Sequence, residues 1–361
     1  MYDYLIVGAG LYGSIVAREL TDRGKKCLVI DKRNHIGGNI YTEKKHNIYI
    51  HKYGAHIFHT NNKDVWDYIN KFDKFNSFIN EPIAIYKNKV YNLPFNMNTF
   101  TKIWKNTNTP KKVLDKINKQ KRKIKKITNL EEQAISMVGK DVYKILIKGY
   151  TEKQWGKKCK KLPASIIKRL PVRLTYNNNY FNAKFQGIPE HGYTTIIQNM
   201  LKGIDVKLNR DYIKNKEYYN NKCKKIIYTG QIDAYYDYIY GKLEYRSLRF
   251  QEETLNVENF QGNAVINYTE KRIPYTRIIE HKHFANCISK KTIITKEYPC
   301  KYDGENAYYP INDKKNEKLY QKYAKIKNDK VIFAGRLGQY KYFDMDKTIE
   351  EAFKLIKQLG E

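Results

Sequence analysis

The sequence predicts an α/β chain in which a parallel, helix-covered sheet is interrupted by a helix-rich insert and a strand-rich segment. Three observations carry this. The first thirty residues read strand, glycine turn, helix, strand. Residues 98–149 repeat their apolar side chains at helical spacing, and residues 243–311 break into short β-branched and aromatic runs. With no internal repeat and no Gly/Ser linker, the domains are expected to interleave along the chain.

Taken in order, Asp3–Val7 is a buried strand, and Leu11, Ile15, Val16 and Leu20 recur as one helix face up to Gly24, a natural stop. Cys27–Ile30 is the second strand of a βαβ opening. Residues 47–58 read as extended, 64–72 as a helix, and 83–86 with 90–93 as a hairpin around Lys87-Asn88-Lys89. Thr109-Pro110 starts a helix with proline in its first turn. Asn129-Leu130-Glu131-Glu132 starts another, which ends near Gly139. Val142, Ile145, Leu146 and Gly149 continue at helical spacing. Residues 205–208, 225–229, 264–268, 276–280, 292–296, 307–310 and 330–334 read as strands, and 348–359 as a closing amphipathic helix.

Composition narrows the class. The 361 residues suffice for two or three domains. The 14% aromatic content excludes a disordered polycation, and no apolar run approaches a membrane span. A strand begins at the first residues, which predicts no cleaved leader. Five scattered cysteines without a C-x-x-C pattern point to a reducing compartment, the cytoplasm. The net charge of +31 admits nucleic acid, an anionic membrane surface or anionic small molecules as partners. A chain-wide bias toward Lys, Asn, Ile and Tyr explains most of it.

Gly8-x-Gly10-x-x-Gly13 stands between a strand and a helix, and Asp31 follows 18 residues after Gly13. In that context the glycines allow a tight turn, close approach to a pyrophosphate and helix packing, while the helix N-terminus, from Leu11, faces the phosphates. Asp31 is expected to accept from ribose hydroxyls. Lys32 and Arg33 leave room for a 2′-phosphate, but Arg33-x-x-x-Gly37-Gly38 and the late Ala334-Gly335-Arg336 resemble the flavin contacts of glutathione-reductase-type flavoproteins. FAD is therefore the expected cofactor.

His46, His51, His56 and His59 fall within fourteen residues, but at no metal-ligand spacing. No metal is expected, and an imidazole near a flavin is the better reading. Residues 111–126 hold nine Lys/Arg and one Asp, with Val113, Leu114, Ile117, Ile124 and Ile127 as an apolar side. That is a solvated helix without stacking aromatics, so nucleic acid is not expected as a partner. No G-x-S-x-G, Walker loop, H-E-x-x-H or kinase signature occurs, which leaves the hard chemical step to a cofactor.

Specific segments add a resemblance. Gly54–Thr60, Asn92–Asn96, Gly149–Gly156, Pro171-Val172-Arg173, Pro274–Arg277, Gly335-Arg336-Leu337 and Tyr340–Met345 are similar, in order and nearly end to end, to bacterial UDP-galactopyranose mutases. The resemblance implies a Rossmann-like FAD-binding α/β domain (1–77, 188–243 and 312–361). It also implies an inserted helical domain (98–167) and an antiparallel β-sheet domain (78–97, 168–187 and 244–311). It further implies a cytoplasmic homodimer that interconverts UDP-galactopyranose and UDP-galactofuranose for a surface polysaccharide or cell wall. In that family the reduced flavin N5 attacks the anomeric carbon as UDP departs. The resulting adduct opens the sugar ring, which recloses in its five-membered form.

Residue by residue, Arg173 and Arg277 match the diphosphate clamp, with Arg173 on a mobile loop, 162–180. Tyr309, Tyr342 and Tyr340 match phosphate-side hydroxyls. Tyr180 and Phe181 match a uracil-stacking pair, with Tyr150, Thr151 and Asn267 nearby. Trp155 matches the aromatic that places galactose, and His56 and His59 match histidines near the flavin. Gly8, Gly10, Leu11, Gly13, Asp31, Lys32, Gly38, Asn39, Arg336, Asp344 and Met345 match the cofactor set. Gly338-Gln339, Phe343 and residues 301–304 depart from the family pattern. Alternatives are a mutase that also accepts UDP-N-acetylgalactosamine, against which His59 leans, and an FAD oxidase of the amine-oxidase or desaturase type on the same core.

Overall fold

The computed structural model describes residues 1–121, 126–168, 170–285 and 287–360. Its first sheet has five parallel strands in the order Val331–Phe333, Cys223–Tyr228, Tyr2–Val7, Cys27–Ile30, Asp205–Lys207. The middle strands are apolar on both sides because both faces are covered. On one face, the helices Leu11–Asp22, Tyr193–Met200 and Met345–Gln358 bury Ile15, Val16, Ile197 and Ile349 against Ile6 and Val29. On the other, Leu5, Leu28 and Ile226 meet Tyr212, Tyr219 and Tyr228. This is the Rossmann-like α/β architecture expected from the opening motif.

The second sheet has seven strands, ordered Tyr309–Pro310, Tyr245–Leu255, Thr292–Lys301, Arg277–Glu280, Val265–Tyr268, Ile83–Tyr86, Lys89–Asn92. Its pairings are antiparallel except one: Val265–Tyr268 runs parallel to Ile83–Tyr86. The hairpin 83–92 turns through Lys87 and Asn88, both left-handed. The long strand Tyr245–Leu255 went unread in the sequence because its Arg, Gln and Glu positions hide the alternation. Phe185–Gly187 lies outside this sheet and pairs antiparallel with Phe58–Thr60 in a separate two-stranded ladder.

A helical layer packs against the second sheet. Helix Pro110–Gln120 is capped by Thr109 Oγ1 and opens on proline, and helix Leu130–Val142 is capped by Asn129. Gly139 (φ 79°, ψ 172°) interrupts that helix where the sequence expected it to end, yet the chain turns back into helix at once. A π-helical turn, Tyr143–Lys148, then delivers the short helix Gly149–Trp155. Such widened turns often mark functional positions.

Two expectations need correction. Residues 47–58 are not one extended run: Thr42–Lys45 and Ile48–His51 form a hairpin over left-handed His46 and Asn47, and a loop precedes Phe58–Thr60. In the basic segment, Val113 and Ile117 are buried, but Leu114 and Ile127 are exposed, so its apolar side is narrower than expected. Ile124 lies outside the described residues. Among the described residues, no helix is long and apolar enough to cross a membrane.

Candidate functional site

The glycine turn is built by steric necessity. Gly8 sits at φ 116°, and a Cβ there would stand 2.1 Å from Thr229 Oγ1. A Cβ on Gly13 would stand 2.0 Å from the Gly8 carbonyl oxygen, so helix and strand touch backbone to backbone. Gly10 bridges to Gly37, and Gly38 closes on the Gly10 Cα. The helix that follows has Gly10 as its cap and so no capping side chain. Its first-turn residues Leu11, Tyr12 and Gly13 line a cavity of about 1090 Å³. Unpartnered amides at a helix N-terminus, reached through glycines, fit the pyrophosphate of a dinucleotide.

Asp31 has partners that its spacing did not show. Its Oδ2 accepts from the Ala9 N–H at 2.8 Å and its Oδ1 from the Arg33 N–H at 2.9 Å. It ties the glycine turn to the loop after the second strand and stands behind the cavity wall. A carboxylate keeps further lone pairs for a ribose hydroxyl. Lys32 also stands off the wall, its Nζ 3.5 Å from the Glu305 carbonyl oxygen. Asn39, His56, Arg336, Phe343, Asp344 and Met345 do line the cavity.

Arg277 is the best-held cation of the site. Its Nη2 donates to the Tyr150 hydroxyl at 2.7 Å, and its Nε lies 3.3 Å from Glu297 Oε1. Burial works against the guanidinium charge, but Glu297, Tyr150 and Tyr309 outweigh it and hold the group deeper in its charged range. Arg336 lies over the Tyr342 ring at 4.9 Å and donates to the Tyr308 carbonyl. Tyr309 and Tyr342 line the same wall with ring centroids 6.0 Å apart. Burial first, then Glu297, raises the Tyr309 hydroxyl, which stays protonated as a donor. The Tyr340 assignment is corrected. A left-handed φ of 47° turns that residue inward, and in the core its hydroxyl donates to the Glu244 carbonyl at 2.6 Å and accepts from the Ile311 N–H at 3.1 Å.

The four clustered histidines separate. His46 is exposed in its hairpin turn, His51 is buried, and His56 and His59 line the cavity. His56 Nδ1 lies 2.8 Å from the Gly54 carbonyl oxygen, so the neutral ring carries its proton there and leaves Nε2 as an acceptor. Burial, then the Arg336 and Arg277 charges, push its pKa down to about 4 despite that hydrogen bond. Behind it, His51 Nδ1 accepts from the His56 N–H, and His281 Nδ1 accepts from the His51 N–H, both at 3.2 Å. Burial holds both rings neutral, with His281 down to about 3.

Tyr150, Thr151, Trp155, Asn267, Tyr180 and Phe181 all reach the cavity. Tyr180 and Phe181 stand perpendicular, 5.4 Å apart, and Phe181 stacks on His59 at 3.7 Å. One face of the expected base-stacking pair is thus covered by an imidazole. Arg173 stands apart from the cavity wall. Its guanidinium donates to the carbonyls of Asn179 and Phe181 and to Asn182 Oδ1, within its own loop.

Two wall residues escaped the sequence reading. Glu297 is 2% exposed and sits directly across the sheet from Arg277. An opposite-charge cross-strand pair is a recognisable signal only once register is known. Gln154 and Asn267 each present a buried side-chain oxygen with no hydrogen-bond partner, facing the same cavity. Gln154 was legible only through its helical spacing from Tyr150 and Thr151.

Comparison with known proteins agrees with this arrangement. Residues 145–342 match the family model described as UDP-galactopyranose mutase, and residues 6–72 match an NAD(P)-binding Rossmann-like domain. The chain is 41% identical to a probable UDP-galactopyranose mutase of Klebsiella pneumoniae, over 98% of this chain and 93% of that one. It is 38% identical to a dTDP-fucopyranose mutase of Escherichia coli, over 98% and 97%. The crystal structure of a reduced UDP-galactopyranose mutase shares the fold with a TM-score of 0.77 at 14% identity, covering 99% of this chain and 94% of that one. The chain belongs to the UDP-galactopyranose mutase family and is an isomerase.

Proposed function

We propose that the protein interconverts UDP-galactopyranose and UDP-galactofuranose on bound, reduced FAD. The observation that carries this reading is the continuity of one cavity. A glycine-lined helix N-terminus and the Arg277 clamp open into the same space, so a dinucleotide and a second diphosphate fit side by side. Reduced flavin, when bound, supplies the nucleophile toward the anomeric carbon that no side chain here supplies.

The chain's own groups then have separable tasks. Arg277 holds the diphosphate through its free fork edge, and Glu297 keeps it aimed. Tyr309 adds a hydroxyl donor that burial keeps protonated, and Tyr342 adds a second hydroxyl beside it. Trp155 presents a flat apolar face to the sugar, while the Asn267 and Gln154 oxygens accept from its hydroxyls or from the base. His56 offers Nε2 as an acceptor beside the cofactor. Loop 162–180 closes over bound substrate and carries Arg173 from its carbonyl contacts to the diphosphate. The reading includes the three-part domain division given above, a homodimer, a cytoplasmic setting and galactofuranose destined for a surface polysaccharide.

The similarity to the dTDP-fucopyranose mutase favours one second reading, a dTDP-6-deoxysugar substrate. A single assay separates the readings. Purified protein is given UDP-galactofuranose, UDP-N-acetylgalactofuranosamine or dTDP-fucofuranose, with and without dithionite. We expect conversion of UDP-galactofuranose, in the reduced state only. Preference for the dTDP sugar would replace the substrate, and net oxidation of any sugar would end the mutase reading.

A further inference from the structure

Helix Gly149–Trp155 shows the cavity Tyr150, Thr151, Gln154 and Trp155. Lys153 points the other way. Its Nζ donates to three main-chain carbonyls, of Tyr268 at 2.7 Å, Ile273 at 3.0 Å and Tyr275 at 2.8 Å. An ammonium has three donors, and here all three are engaged. The three carbonyls belong to one connection, between strands Val265–Tyr268 and Arg277–Glu280. The strands it joins place Asn267 directly opposite Arg277.

The same junction is tightened elsewhere. A Cβ on Gly149 would stand 2.2 Å from the Thr269 carbonyl oxygen, so the helix start and the connection touch through their backbones. The Arg277–Tyr150 hydrogen bond then spans helix and sheet on the cavity side. Burial lowers Lys153 to about 8, against the raising effect of the Glu270 carboxylate. A lysine half-removed from water and bound only to carbonyls is a poor device for stability, since an apolar side chain would pack there without desolvating a charge. Its value is geometric: three converging acceptors define one position for the helix.

We propose that Lys153 is a positioning residue that sets the spacing between Arg277 and Asn267 on the sheet and Tyr150 and Trp155 on the helix, and so the grip on the nucleotide diphosphate sugar. This rests on the substrate reading above. The test is Lys153→Met, with Lys153→Gln retaining one amide donor, in the FAD-loaded full chain. UDP binding is measured by calorimetry and turnover with UDP-galactofuranose after dithionite. We expect the UDP Kd and the KM to rise about tenfold in Lys153→Met and about threefold in Lys153→Gln, with kcat within threefold of wild type. That is the pattern of lost uniform binding. Faster amide exchange is expected at residues 268–277, with the rest of the chain unchanged.

A merely structural lysine gives the opposite split, because loss of folded protein lowers apparent kcat and leaves KM where it was. That result, wild-type affinity in Lys153→Met, or failure of both variants to fold, overturns the proposal. Wild-type protein that holds no UDP sinks the substrate reading and this inference with it. Wild-type protein that binds UDP, with variants equal to it, sinks the inference alone.

Discussion

The two arginines that the sequence pairs as a diphosphate clamp sit in opposite kinds of structure. Arg277 is on a central strand, ion-paired to buried Glu297, hydrogen-bonded to Tyr150, and stationed in the cavity wall. Arg173 is on an irregular loop, and its guanidinium is absorbed by the loop's own carbonyls and by Asn182. On the proposed function, one half of the clamp is already in place in the cavity wall, and the other would have to give up its loop contacts to reach a diphosphate. Preorganisation in the first avoids reorganisation at binding, whereas a contact carried on a loop would let the site open if that loop moves as proposed. The pair thus divides affinity from access, and each half should fail differently.

The largest difference should follow Arg277→Ala. It removes a charge-assisted donor and strands the Glu297 carboxylate in the interior. Breaking a buried ion pair costs about 3–5 kcal/mol of stability, and losing a preorganised donor lowers turnover by about 10²–10³-fold. Denaturant melts and kcat/KM should both collapse. Intact stability would mean that the Thr276 hydroxyl, which donates to Glu297 Oε1 at 3.2 Å, holds the carboxylate by itself and that the fixed half is less fixed than its geometry says.

Acid should act on the same half of the comparison. His51, His56 and His281 back the wall beside Arg277, and burial holds each below the usual histidine range. Their unfolded forms bind protons from near pH 6.5, while the folded rings stay neutral down to about 4 for His56 and about 3 for His281. Stability is therefore fully present above pH 6.5 and falls as pH drops toward 4, by about 1.4 kcal/mol per pH unit for each ring. Urea midpoints at pH 7, 6 and 5 check this. A flat profile would show that the histidine stack is wetter than its burial indicates.

What the sequence disclosed, and what it hid, follows the same division. The Gly8, Gly10 and Gly13 turn was legible because the spacing of its glycines, and the Gly13 approach to the Gly8 carbonyl, lie within six contiguous residues, although Thr229 and Gly38 supply the remaining close contacts. The Arg277–Glu297 pair was not, since it depends on register between strands twenty residues apart. Tyr340 looked equivalent to Tyr342 two positions on, but one left-handed residue sends its hydroxyl to Glu244 and Ile311 instead. Spacing locates the Asp31 carboxylate but not the Ala9 and Arg33 backbone amides that it accepts from. Arg173 was identified by its motif, and no sequence feature shows whether its loop is open or closed.

Arg173→Ala should therefore lower kcat/KM by about 10²-fold, the scale of a positioning contact made on closure, while costing only about 1 kcal/mol of stability, because water replaces most of its loop hydrogen bonds. Comparable destabilisation by both arginine variants would erase the distinction between the halves.

The smallest effect is the most diagnostic. Asn182 accepts from Arg173 where the guanidinium stands off the cavity wall, so on the proposed closure Asn182→Ala weakens a contact that closure would break. A hydrogen bond to a charged group contributes about 1.5–3 kcal/mol at most, and less where water replaces it, as at this exposed pair. Loss of even ~0.7 kcal/mol from the open state shifts the loop toward closure and tightens UDP about threefold. Titration of the variant with UDP measures this directly. Weaker binding would instead make Asn182 a ligand contact, and Arg173 would then already be where it acts.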